Sequence, residues 1–178
     1  MMTRQQLLSA LQAYPSHDTD EIAFVPRFIE LLRHANAYQR THLPGHITGS
    51  AWIVDTSKKF VLLTHHAKLN KWLQPGGHAD GDENILNVAL REVNEETGIQ
   101  PLDMPQLHPF DIDIHPIPAR PDFPEHLHYD VRFLFIADKN EPLLLSEESH
   151  ALAWVPLTDV ARLSQNNRSM MRMVDKLL

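Results

Sequence analysis

The chain has 178 residues, 43% of them hydrophobic, and a formal net charge of -7. That is enough chain for one compact domain plus an extension, with apolar content for an ordinary core, and its acidity excludes a nonspecific grip on nucleic acid. Cysteine is absent, which rules out disulfides and thiolate metal sites, and no apolar run is long enough to cross a membrane. The opening residues lack the apolar core of a signal peptide, so a cytoplasmic location is the expectation.

Leu7, Leu8 and Leu11 recur at helical spacing and stop before Pro15, which predicts a first helix over Thr3 to Tyr14. From Asp20 to Ala37 the apolar positions predict more helix, with Pro26 expected to kink it or force a fresh start. Residues 1–44 therefore read as an N-terminal helical extension ahead of a domain at 45–178. The extension could pack on the fold, pair subunits in a homodimer or cover a site.

Strand-like runs follow at Ile47 to Val54 and Phe60 to Thr64, separated by a hairpin-type connection. Trp72 and Leu73 lead into Gln74-Pro75-Gly76-Gly77, where paired glycines read as a turn. The stretch beyond concentrates acid on one short helix. Asp82 is placed as its N-cap, Leu86, Leu90 and Val93 as its apolar face, and Gly98 as its C-cap glycine. Farther on, Phe110, Ile112 and Ile114 alternate with Asp111, Asp113 and His115, as in a half-buried strand with a polar outer face. A proline-rich loop from Pro116 to Pro124 precedes a long strand at Leu127 to Ala137, a short one spans Leu152 to Val155, and the remainder to Leu178 reads as helical.

The acidic helix carries the chemistry. Glu95 and Glu96 lie three and four positions after Glu92, so they share a face with it, and Arg91 is one turn from Glu95. Like charges so close repel one another, and a hard divalent cation turns that repulsion into binding. Written with gaps, Gly77, five residues, Glu83, seven residues, then Arg91-Glu92-Val93-Asn94-Glu95-Glu96-Thr97-Gly98-Ile99 resembles the box of the Nudix (MutT-like) hydrolase superfamily at every specified position. Chance agreement is on the order of one in ten million, so coincidence is a poor competitor.

The resemblance implies an α/β/α sandwich around a mixed β-sheet. It also implies hydrolysis of a phosphoanhydride in a nucleoside diphosphate linked to another moiety, with Mg²⁺ or Mn²⁺ as cofactor. By that likeness Glu92, Glu95, Glu96 and the Gly77 carbonyl hold metal, with Glu148 as a further metal-linked glutamate, and Arg91 and Glu83 brace the helix. The general base is either the first of these glutamates or a carboxylate from a later loop, for which Glu148 is the candidate and Glu147 an alternative. Two rival readings stay open: a nucleotide-sensing module that does not cut, and a diphosphate isomerase, the closest version of which uses a cysteine this chain lacks.

The twelve histidines are unusual. His126, His128 and Asp130 alternate along one strand and face one side, a spacing that suits metal or phosphate as well as a merely polar face. His78, Arg120 and Arg132 are candidate phosphate contacts, arginine being suited to forked recognition of oxyanions. Trp52, Trp72, Tyr129 and Phe123 could stack a base, although aromatic residues on strands are more often core.

Overall fold

In the computed structural model, residues 2–178 are described. Two N-terminal helices, α1 (Arg4–Gln12) and α2 (Thr19–Leu31), precede the sheet. Thr3 and Gln6 form a reciprocal capping box at the start of α1, and Asp18 caps α2 by accepting from the Asp20 and Glu21 amides. α2 runs through Pro26 without the fresh start that was one of the two expectations. Pro26 lies on the exposed side with Ile22, so the Ile22 carbonyl that loses its partner is near water.

The sheet has seven strands: β1 (Gly45–Asp55), β2 (Phe60–His66), β3 (Lys71–Leu73), β4 (Gly76–His78), β5 (Asp111–Ile117), β6 (His126–Ala137) and β7 (Ser149–Pro156). Its order is β3-β2-β1-β6-β5, with β4 added beside the first half of β1 and β7 beside β2. β1 runs parallel to β6 along its whole length and antiparallel to β2 and β4, so the sheet is mixed.

Alternation along the central strands sorts the core into two halves. Ile47, Ala51 and Ile53 of β1 join Phe133 and Phe135 of β6 under α1, α2 and the box helix α3 (Ile85–Thr97). Trp52 and Val54 face the other way, toward α4 (Val160–Leu163) and α5 (Arg168–Asp175), where Met170 and Met173 complete the layer. The result is a sheet between two helical layers. Trp52 and Tyr129 are buried in these cores, and Trp72 lies with its ring stacked 5.1 Å from that of His65.

β5 departs from the half-buried pattern. Asp111 and Asp113 are buried, not solvated, because Arg132 and Arg172 reach them from both sides. Lys176 donates to both Asp111 and Glu21 of α2, which also accepts from Tyr14 and Ser16. This ion network ties the N-terminal helices to the C-terminal one across the edge of the sheet.

Candidate active site

Helix α3 begins two residues later than the sequence predicts. Asn84 occupies the N-cap, while Asp82 sits just outside and accepts from the Asn84 amide and the Asn87 side chain. Ile85, Leu86, Val88, Ala89 and Val93 form the buried face, and Leu90 is 37% exposed, so the apolar stripe runs through Ala89 and not through Leu90. Gly49 of β1 lets the helix come close: a Cβ there would lie 3.1 Å from Ile85 and 3.2 Å from Val88.

Gly98 ends the helix at φ 73°, the left-handed cap the sequence predicts. Gly98→Ala is expected to cost about 1–2 kcal/mol from backbone conformation alone, read as a lower midpoint in urea at an unchanged slope.

Gly76 and Gly77 are strand residues, paired with Ser50 and Gly49, and the turn expected of them lies at Asp80 and Gly81, where φ is positive. What demands glycine at 77 is proximity. A Cβ there would stand 2.5 Å from Oε1 of Glu92, so β4 brings its backbone against the first metal-type carboxylate. Gly77→Ala should push Glu92 aside and slow turnover by about 10–10²-fold, with thermal stability much less affected.

Arg91 donates to Glu92 at 2.8 Å and to the His78 carbonyl at 2.8 Å, and lies 3.8 Å from Glu95, so it ties the acidic face to β4. It does not hold Glu83. That residue pairs at 2.7 Å with Arg4, whose guanidinium also binds the Leu32, His34 and Ala35 carbonyls. The N-terminal segment thus anchors the early box glutamate.

Glu96 accepts from the Gly76 amide at 2.8 Å. Burial raises its carboxyl to about 8, with Glu92, Glu148 and Glu95 adding to the rise and the Gly76 hydrogen bond opposing it. Burial likewise raises Glu92, with Arg91 pulling the other way. Glu148 on the loop before β7 acts electrostatically on both, and its carbonyl is held by the Ala67 amide. Glu92 and Glu96 thus lie against the β4 backbone, each held by one hydrogen bond, with Glu95 and Glu148 near enough to add negative charge. Hard, oxygen-only donors with excess negative charge fit a hard divalent cation.

The remaining candidates divide. Arg132, 3% exposed, is engaged by Asp111, Asp113 and Asp130, so its guanidinium serves the buried network and is not free to fork a phosphate. Asp130 also accepts from Thr48 and Ser50. Arg120 is exposed on the loop between β5 and β6. His78, His126 and His128 come together on the sheet face turned away from α3, with β4 backbone between them and the glutamates.

Two histidines join them that the sequence reading left out or only touched: His46 opposite His128 on β1, and His115 opposite His128 on β5. Burial first, then neighbouring positive charge, lowers His78 to about 4 and His128 to about 2, and burial lowers His46 as well, so these three favour the neutral form. The polar alternation of His46, Thr48 and Ser50 was the available signal. Its partner strand, 82 residues away, was not.

A family model described as NUDIX domain matches residues 45–174. The chain belongs to the Nudix family. It is a pyrophosphohydrolase by class. Among its relatives, the bis(5'-nucleosyl)-tetraphosphatase [asymmetrical] of Rattus norvegicus is 31% identical over 111 residues, covering 62% of this chain and 73% of that protein. The Nudix fold is shared with a NUDIX-family hydrolase from Clostridium perfringens, at TM-score 0.59 and 24% identity over 74% of this chain and 95% of that one. It is shared also with a C. elegans Ap4A hydrolase, at TM-score 0.58 and 20% identity over 73% and 93%.

Proposed function

We propose that this Nudix chain hydrolyses, with Mg²⁺ or Mn²⁺, a phosphoanhydride in a nucleoside diphosphate joined to another group. The observation that carries the reading is the approach of the β4 backbone, at Gly76 and Gly77, to Glu96 and Glu92 of the helix that also bears Glu95. Glu92 and Glu96, with Glu95 and the Gly77 carbonyl, would hold the cation. A bound divalent cation supplies neutralisation of the bridging phosphate oxygens and a more acidic water.

The chain's own groups divide the remaining work. Arg91 fixes the orientation of Glu92, and the Gly76 amide fixes that of Glu96, so neither carboxylate must be ordered when substrate arrives. Glu148 is exposed and unbraced, which suits it to accept the proton of the attacking water. Net acidity favours a small, cation-chelated nucleotide over a long polymer. The rat relative's name makes a dinucleoside tetraphosphate the first substrate to try.

The test is product analysis by chromatography after incubating the chain with diadenosine tetraphosphate, a nucleoside diphosphate sugar and a nucleoside triphosphate. Each is run with Mg²⁺, with Mn²⁺ and with excess chelator. The expected result is cleavage of a linked diphosphate that stops on chelation. Tight binding with no cleavage of any substrate over hours, in either ion, would overturn the reading in favour of a sensing module.

A further inference from the structure

We propose that His46, His78 and His128 form a second metal site, made of imidazoles alone, that takes a borderline divalent ion of the zinc class. Three strands each contribute one ligand: β1 gives His46, β4 gives His78 and β6 gives His128. One nitrogen from each ring lies within 4.8 Å of the other two. The pairing fixes this arrangement, since His46 faces His128 in the parallel register and His78 faces Thr48 one step along β1.

The ring nitrogens are already set for ligation. Nδ1 of His46 is 3.3 Å from the His42 carbonyl, and only a protonated nitrogen can donate to it, so the lone pair is at Nε2. That Nε2 is buried and without a hydrogen-bond partner among the described residues, in a side chain that is 1% exposed. Nε2 of His128 is buried and unpartnered too. Buried nitrogens are rarely left so, and an imidazole that donates one N–H to a backbone carbonyl while turning the other nitrogen inward is how metal-binding histidines are held.

Zinc bonds of about 2.0–2.1 Å at tetrahedral angles set donor atoms about 3.3 Å apart, so small ring rotations close the present separation. His126, stacked 5.0 Å from His46, and His115, 5.6 Å from His128, flank the three. Nδ1 of His126 is engaged by the Pro124 carbonyl and that of His115 by Asp113. Three ligands leave a fourth position open to water or to an oxygen of a bound molecule. Imidazole prefers zinc, cobalt or nickel, and carboxylate prefers magnesium or manganese, so the two sites sort ions by donor chemistry.

The test uses the full chain, stripped of metal and then saturated with Mg²⁺ to occupy the carboxylates. Zn²⁺ is titrated by calorimetry and Co²⁺ by visible absorption. One equivalent should bind, with the strong ligand-field bands of four-coordinate Co²⁺. His46→Gln and His128→Gln should each weaken binding by more than the roughly 10–100-fold that loss of an outer-shell partner causes, while Glu92→Gln and His17→Gln leave it intact.

Should His46→Gln not fold, His128→Gln and the zinc-induced shifts of the histidine ring signals of the unaltered chain, seen by NMR, still decide. Absence of a Zn²⁺ or Co²⁺ site in Mg²⁺, or binding that survives both histidine changes, overturns the proposal. The readout is ion binding, so its failure leaves the hydrolysis reading standing, and failed hydrolysis leaves this one standing.

Discussion

Glu92→Gln should lower kcat by about 10²–10³-fold, the loss typical when one preorganised electrostatic group is removed. Glutamine keeps the length of the side chain and an oxygen that can still accept from Arg91 at the present 2.8 Å. What it removes is the charge. Glu92 contributes that charge from a half-dry position against β4, where burial already disfavours its ionised form. The folded state without metal should therefore tolerate the change or gain from it, so rate and stability should move in different directions. Initial rates at several Mg²⁺ concentrations, set beside thermal melts, separate the two, and a rate equal to that of the unaltered chain would deprive the helix of a chemical role.

Asp111→Asn is the substitution with the largest expected effect on stability, about 3–5 kcal/mol at neutral pH, because it leaves buried cations without their counter-charge. Arg172 reaches Asp111 at 2.8 and 2.9 Å, Lys176 at 2.8 Å and Arg132 at 3.1 Å. Burial alone would raise the Asp111 carboxyl, but the Arg172 hydrogen bonds, Arg132 and Lys176 outweigh it and hold it below the usual carboxylate range. Asp113 is lowered for the same reason, by Arg132 first.

A carboxylate lowered on folding contributes stability that is present above its unfolded value, about 3.9, and is lost as pH falls toward the folded one. The unaltered chain should therefore weaken steeply below about pH 4, whereas Asp111→Asn should begin lower and fall less. Urea unfolding across that range measures both. Acid limbs of equal slope in the two proteins would show that the network does not govern acid stability.

The box helix was legible because its chemistry is contiguous. Glu92, Glu95, Glu96, Arg91 and Gly98 lie within one short segment, and helical geometry alone places them. Strand positions were legible from alternation, but what each face met was not. Asp111 and Asp113 read as a solvated edge because a buried ion network leaves the same alternating pattern as water, and Arg172 lies 61 residues away. Arg132 looked available to phosphate for the same reason. Gly76 and Gly77 read as a turn because glycine has two uses, and here the second one, close approach, was in force. The histidine cluster needed the parallel register of β1 with β6, which local sequence does not encode.

That register also governs how the chain reaches its folded state. Parallel pairing at all eleven β1 positions from Gly45 to Asp55 cannot begin until β6 exists, because Thr48 meets Asp130 across 82 residues. Contacts so distant along the chain must close a long loop before they give any return, which places folding in the slow, millisecond-to-second regime. On the ribosome β1 can pair with β2 and β4, but its other edge stays open until β6 emerges. During that interval the open edge is a template on which another chain could pair.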